Sequence, residues 1–533
     1  MTMNAATSIL YRTAGAVPLL LTLAGTASAQ QPATMYLLLR GDDTLAVERF
    51  VQRNGRIEGE LVDRTQQIRW SYIWTPSAAG GPARFDNAVR SAAQDPSSPA
   101  LQTAVLTFTG DSVLVVINPG RANEQTQRLA TRPGAVPYVN LAFSLLHAVV
   151  ERLGPGDGPV TVPVFLVSGG QTLDGTLRRI GPDSVSLTLG PEARLEVDDR
   201  GNIMGGTVPA QGLRLVRQAA DPGALNVPRP DYSAPDGAPY TATDVRVPTR
   251  AGHTLAGTLT VPTSPGPHPA VITLTGSGLQ DRDEAIPFVR GYRPFRQIAD
   301  TLGHAGIAVL RMDDRGFGES GGDAASATSR DLADDIAAAV TWLRNRPGID
   351  PARIALVGHS EGGMIAPILA AEDSTLAAIV IMAGPSQSGR EILEYQNRYA
   401  IDHAPDLAAP ARDSLWRVAL AALDSLEIHG TPWVRHFLSY DPEPVAGRVR
   451  VPVLILHGAT DRQVTSAQAA ELGDLIRRGG NTDVTVRVFP ETNHLFLHDP
   501  DGNPSGYGAL PSGRLGDEVT VALVSWLRVR LNP

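Results

Sequence analysis

The chain has 533 residues, 42% of them hydrophobic, which is too long for one ordinary domain and apolar enough for two or three packed cores. Its formal charge of −9 leaves no basic footprint for nucleic acid or an anionic membrane surface. With no cysteine, it has no disulfide, no thiolate metal site and no cysteine nucleophile.

Residues 1–29 read as a secretory signal. Arg12 gives a weak positive region, residues 14–24 are mostly apolar, and Thr26-Ala27-Ser28-Ala29 supplies small residues before a cleavage expected after Ala29. The apolar run is short for an uncleaved anchor, and there is neither a twin arginine nor a lipid-bearing cysteine. A periplasmic or secreted protein without stable membrane insertion is expected.

Residues 30–218 carry a β pattern. Short alternating or apolar runs at 36–39, 45–51, 57–62, 68–73, 105–108 and 113–117 are separated by turn signals such as Gly41-Asp42-Asp43, Asn54-Gly55 and Gly110-Asp111. One helix is predicted over 139–153, and strands resume at 162–167, 172–180, 184–189 and 195–197. The pattern predicts a small sandwich or incomplete barrel, an accessory unit with no catalytic constellation of its own. Residues 219–240 hold Asp221-Pro222-Gly223, Pro228-Arg229-Pro230 and Pro235-Asp236-Gly237, and read as a Pro-rich linker.

From residue 241 to 533 the pattern becomes α/β. An opening antiparallel pair at 245–247 and 254–261 precedes buried strands at 270–274, 307–310, 354–357, 377–382, 451–456 and 484–488. Helices alternate with them at 295–304, 332–344 and 519–529. Such alternation implies a mostly parallel sheet covered by helices on both faces. Residues 386–449, rich in helical pattern and carrying Trp416, Trp433, Phe437 and Tyr440, read as a lid inserted over the strand ends, although these aromatics suit an ordinary core as well.

The strand at 354–357 runs straight into Gly358-His359-Ser360-Glu361-Gly362-Gly363 and then a helix, with Pro367 early in it where a kink is expected. This is a G-x-S-x-G nucleophile elbow in its strand–turn–helix setting. A serine hydroxyl needs a base, and the base needs an orienting acid. Asp461 follows the strand at 451–456, and His494 follows the strand at 484–488, so the chain order is Ser, Asp, His. Ser360 is read as nucleophile, Asp461 as orienting acid and His494 as general base. Asp461 as a mere helix cap and His498 as the base are the rivals. A His494/His498 metal pair is disfavoured by the nearby prolines and the lack of clustered ligands, so no metal is expected. His359 reads as a packing residue and His457 as a strand-end structural residue. Two oxyanion donors are needed. One is the backbone N–H of Glu361; the other belongs to the Gly-rich loop after 270–274, with Gly278 and Leu279 both open as candidates.

Gly276-Ser277-Gly278-x-x-Asp281-Arg282-Asp283, Asp314-Arg315-Gly316-x-Gly318-x-Ser320 and the elbow together resemble the α/β-hydrolase superfamily. More closely they resemble bacterial serine esterases of the dienelactone-hydrolase and acylaminoacyl-peptidase branches, as does Phe437-Leu438-Ser439-Tyr440-Asp441-Pro442. The resemblance covers 241–531 and implies acyl hydrolysis without a cofactor. It leads to an exported hydrolase of small-molecule carboxylic esters working through an acyl-enzyme, with a peptidase or amidase of the same fold and a non-catalytic binding protein as alternatives. No blade-length repeat in 30–218 marks the propeller that large peptidases of this kind carry.

Overall fold

The computed structural model describes residues 33–532 except 42, 65–67, 78–81, 93–99, 122–123, 155–157, 227–229, 287–288 and 405–406. The expected signal segment, 1–29, lies outside the described residues.

The front unit is one fifteen-stranded sheet in which sequence neighbours pair. One meander runs from Thr34–Arg40 to Gln125–Ala130 and a second from Val136–Tyr138 to Leu213–Ala219. The first and last strands, Thr34–Arg40 and Leu213–Ala219, pair antiparallel and join the two. Among the described residues only Val136–Tyr138 and Val160–Leu166 run parallel in this sheet. Alternation drives burial: Ala104, Leu106 and Phe108 of one strand, and Ala193, Leu195 and Val197 of another, all point into the core. Phe108 and Phe165 meet edge to face at 5.5 Å although many strands separate them in the sheet order, so the sheet is curled on itself. Inside it lies a 3-10 turn, Phe143–Leu146, followed by one α-turn, His147–Val150. The helix predicted over 139–153 is therefore shorter. Leu141 at φ +70° cannot belong to it, and the fully buried Phe143–Leu146 fill the curl.

That filling carries polar atoms into the core. Glu48 is buried and accepts hydrogen bonds from the Tyr72 hydroxyl and from the Ser144 amide at 3.0 Å. The Tyr36 hydroxyl donates to the Ile203 carbonyl and lies 2.7 Å from His147 Nε2. Burial pushes the Glu48 carboxyl up to about 7, and the hydrogen bonds only partly offset it.

The Pro-rich stretch is divided between the two units. The 3-10 turn Pro222–Leu225 belongs to the front unit, where Leu225 packs with Met35, Val47 and Val62 and its carbonyl accepts from Arg69 at 3.0 Å. Residues 231–233 belong to the α/β unit: the Asp231 and Ser233 carbonyls accept from Arg296 at 2.7 and 2.9 Å, and the Arg282 guanidinium lies 4.2 Å from the Tyr232 ring centre. Every hydrophobic core cluster among the described residues draws its members from one unit alone.

The second unit is an eight-stranded sheet. Across it run Tyr240–Pro248, Thr254–Pro262, Ala308–Met312, His268–Leu274, Ile349–His359, Ala378–Met382, Val453–Gly458 and Val484–Phe489. The first two strands are antiparallel to their neighbours and the remaining six are mutually parallel. Ile354, Ala355, Leu356 and Val357 are all fully buried, alternating between the two helical layers. The Ile354, Leu356 and Val357 side chains each contribute roughly 1.5–3 kcal/mol. Pro294–His304 and Asp517–Leu531 cover one face, and Ser329–Arg344, Glu361–Glu372 and Ala467–Arg478 the other. Glu361–Glu372 is buried almost all round and continues through Pro367. Four helices, Gly389–Asp402, Ala409–His429, Pro432–Ser439 and Glu443–Ala446, are inserted between the sixth and seventh strands. Among the described residues no helix is long and apolar enough to cross a membrane.

From His268–Leu274 the chain moves outward to Ala308–Met312, then crosses back to Ile349–His359 on the other side. In such sheets the crevice outside the strand C-terminal ends at this reversal is where ligands bind. It is flanked by Thr275 and Ser360.

A folded-state Glu48 that holds its proton more tightly than the unfolded chain stabilises the front unit most below pH 4.5, and that stability is lost as pH rises toward 7. Calorimetric Tm should therefore fall across this window by the equivalent of about 1.4 kcal/mol per pH unit, and Glu48→Gln should flatten the slope. A chain starting at Pro230 should fold alone with its own cooperative thermal transition, because the cores are separate. A start at Pro235 removes Tyr232 and should lower its Tm by a few degrees, as expected for losing a contact worth roughly 0.5–2 kcal/mol.

Candidate active site

Ser360 sits between strand and helix at φ +53°, ψ −113°, a conformation that costs an L-residue on the order of 1–3 kcal/mol. Its surroundings hold it there. A Cβ on Gly358 would lie 2.0 Å from the Gly362 carbonyl oxygen, and one on Gly362 would lie 2.2 Å from that of Leu274. Both glycines are thus required by backbone contact rather than by their own dihedrals. The Ser360 amide donates to the Met382 carbonyl at 2.8 Å, tying the turn to the neighbouring strand.

The loops carrying Asp461 and His494 leave Val453–Gly458 and Val484–Phe489, the second and third strands after the elbow. His494 Nδ1 lies 2.7 Å from Asp461 Oδ2, both side chains being buried. The other Asp461 oxygen accepts the amides of Gln463 and Val464 at 2.8 and 2.9 Å, and His457 Nε2 approaches Oδ2 at 3.2 Å. Burial alone would raise the Asp461 carboxyl, but His494 and His457 outweigh it and hold the group well below the usual carboxylate range. Asp461 does not cap the following helix, whose N-cap is Ser466. His457, read from sequence as a strand-end residue, is also a partner of the acid. His498 is exposed and joins Thr492 in a backbone bridge.

The sharp base loop has Glu491 at φ +47° and Phe496 at φ +59°. It closes on the buried Asn493, whose side-chain oxygen accepts the Leu495 and Leu497 amides at 3.0 and 3.1 Å and whose amide donates to Asp499. Asn493 was missed from sequence. Its position beside the candidate base was the available signal.

The Gly-rich loop, Thr275 to Leu279, ends above the elbow. A Cβ on Gly276 would lie 3.2 Å from Ser360 Cβ. The Gly276 amide is already committed to Glu284 Oε1 at 2.7 Å. Among the described residues the amides of Gly278 and Leu279 donate to no protein acceptor, so both sequence candidates remain available, as does that of Glu361. Asp314 fixes the loop by accepting from Thr275 Oγ1 at 2.7 Å and the Gln280 amide at 2.9 Å; burial pushes its carboxyl well above the usual range. The charged Asp281-Arg282-Asp283 run turns inward. Arg282, fully buried, holds Asp313 through Nε at 3.0 Å and Nη2 at 2.8 Å, while Asp283 pairs with Arg311 and Arg293.

Glu361 places its amide beside Ser360 and buries its carboxylate, which accepts from Ser329 Oγ at 2.6 Å and from the indole N–H of Trp433 at 2.8 Å. Trp433 stacks on Phe437, and Phe437 and Tyr440 join the α/β core. The inserted helices are thereby bonded to the elbow. A crevice of about 370 Å³ at Pro230–Ser233, Ala242 and Asp244 contains none of Ser360, Asp461 or His494.

A mostly parallel sheet with a strained elbow serine at its switch point, and an Asp–His pair on the following loops, is the layout of an α/β-hydrolase. The family described as "Serine aminopeptidase, S33" matches residues 290–501. Esterase EstD of Thermotoga maritima is 30% identical over 307 residues, covering 56% of this chain and 69% of that protein. The uncharacterized protein Rv2307c of Mycobacterium tuberculosis is 32% identical over 171 residues, covering 31% and 55%. Among solved structures, the Pyrococcus furiosus esterase Pf2001 is 18% identical, with a TM-score of 0.41, over 57% of this chain and 96% of its own. The chain belongs to the α/β-hydrolase superfamily, as an esterase-like hydrolase.

His494→Ala should lower kcat/KM by roughly 10²–10⁴-fold, the usual worth of a general base. His498→Ala should stay within about tenfold of wild type. Initial rates on one soluble ester measure both, and the reverse ranking would move the base to His498.

Proposed function

We propose that this chain is an exported serine carboxylic-ester hydrolase that works through an acyl-enzyme. The observation that carries the reading is the conjunction of Ser360 at φ +53° with the 2.7 Å His494–Asp461 bond on adjacent loops. In this reading His494 removes the Ser360 proton as Oγ attacks the ester carbonyl. Asp461, kept ionised, stabilises the imidazolium that forms. The oxyanion is met by the Glu361 amide and by that of Gly278 or Leu279. His494 then protonates the departing alcohol, and a water activated by the same histidine releases the acid. No step calls for a metal or cofactor.

The insertion at 386–449 is read as a lid, anchored through Trp433, and residues 30–218 as an accessory unit. Export rests on the signal pattern ending at Ala29, and N-terminal sequencing of the mature protein from periplasm or medium tests it. The family description as an aminopeptidase favours one second reading, an amidase or peptidase using the same residues.

A panel of p-nitrophenyl acyl esters and aminoacyl p-nitroanilides separates the two. Ester turnover should dominate, Ser360→Ala should abolish on the order of 10⁴-fold or more of it, and a phosphonate should label wild type once and the variant not at all. Dominant anilide turnover would establish the peptidase reading. No turnover and no labelling would leave a binding protein on this fold.

A further inference from the structure

Behind Ser360 and His494 lies a second buried acid–histidine contact that the proposed chemistry does not use. Glu284 is 1% exposed and His359 is 5% exposed. Glu284 Oε1 lies 2.8 Å from His359 Nδ1 and also accepts the Gly276 amide at 2.7 Å. The other nitrogen of His359, Nε2, lies 2.9 Å from the backbone carbonyl oxygen of His494. Glu284 adopts φ +56°, strain that the surrounding contacts must hold in place. Three segments therefore meet on one imidazole: the segment following Leu274 through Glu284, which also holds the Gly276 amide, the elbow through His359 itself, and the loop after Val484–Phe489 through the His494 carbonyl.

The protons can be assigned from the partners. A carbonyl oxygen only accepts, so His359 Nε2 carries a hydrogen. Nδ1 faces a carboxylate oxygen that already accepts one amide, and a second N–H there satisfies it. We propose that His359 is held as an imidazolium by Glu284, and that this pair is a positioning device fixing the oxyanion loop and the base loop relative to Ser360. This rests on the esterase reading. Burial works against the charge on His359, while the charge and hydrogen bond of Glu284 and the His494 carbonyl favour it, and the balance is upward. The groups facing the pair are Glu284 from the Gly-rich loop, the His494 ring at 5.0 Å and Asp461 from the base and acid loops, and the buried Tyr292, which senses Glu284.

Neither residue touches the reacting atoms. They act on geometry that matters chiefly in the transition state, where a displacement of an amide or base loop is costly. Glu284→Gln keeps the shape and removes the charge. It should lower kcat about 10–100-fold while KM stays within about threefold and Tm remains above the assay temperature. His359→Gln should do the same, and the double variant should be no worse than the more damaging single one, because the two act as a unit. In the wild type, long-range ¹⁵N correlation spectra of histidine-labelled protein should show one histidine still protonated on both ring nitrogens just above pH 6.5, the ordinary imidazole value, and absent in His359→Gln. The inference is overturned if Glu284→Gln keeps kcat within twofold, if losses multiply in the double variant, or if kcat, KM and Tm collapse together. It is also overturned if that doubly protonated ring is missing, a measurement that needs no variant to be active. Loss of the esterase reading would show separately, as wild-type protein that Ser360→Ala does not change.

Discussion

The active geometry depends on a steric constraint before it depends on any charge. Gly358 and Gly362 approach neighbouring carbonyls so closely that no side chain fits, and this closeness forces Ser360 into its strained turn. The cost is offset by the burial of Ile354–Val357 on one side and the helix Glu361–Glu372 on the other. Ser360 is thereby presented at the sheet's reversal point, while the strands that follow carry Asp461 and His494 to the same end of the sheet. Parallel strands bring the ends of these two loops together, and hydrogen bonds from Thr460 to the Thr492 and Asp499 carbonyls, at 3.0 and 2.6 Å, join them alongside the His494–Asp461 contact.

Around that turn the protein uses buried charge as scaffolding. Arg282 grips Asp313, Asp283 grips Arg311 and Arg293, and Asp314 holds Thr275 and Gln280. Such pairs add little net stability over apolar residues of equal volume, but breaking one leaves an uncompensated buried charge. They therefore make the loop between Leu274 and Glu284 hard to rearrange. The inserted helices are tied in by a neutral donor, the Trp433 indole, on the carboxylate that flanks the nucleophile.

Much of this was legible in the sequence because it is local. The elbow's glycines and the apolar strands are features of a few adjacent residues, the chain order of Ser360, Asp461 and His494 can be read off the sequence, and the structure sets His494 Nδ1 2.7 Å from Asp461 Oδ2. What was not legible depends on pairs far apart in the chain. Glu284 reads as one more acid in a charged loop until His359, well downstream, is found against it. His359 reads as a packing residue for the same reason. Asn493 was visible as a neighbour of the base, yet its role lies in the amides of Leu495 and Leu497, which only a tight loop presents to it. In the front unit the helical period of 139–153 competes with the curled sheet, and the sheet sets the length.

The pairing of Thr34–Arg40 with Leu213–Ala219 also sets an order of events. Most of the front sheet is built from neighbouring hairpins that can form as the chain emerges from the ribosome. The joining pair cannot, since its two strands bracket the entire unit. Bringing ends about 185 residues apart together costs roughly 5 kcal/mol of loop-closure entropy if nothing between them is ordered, and far less once the intervening hairpins stand. Until residue 219 is available, the edge of Thr34–Arg40 stays unpaired, and an open strand edge is a template for pairing with another chain. The nascent front half thus has a vulnerable interval whose length is fixed by topology, and it closes just before synthesis of the hydrolase begins.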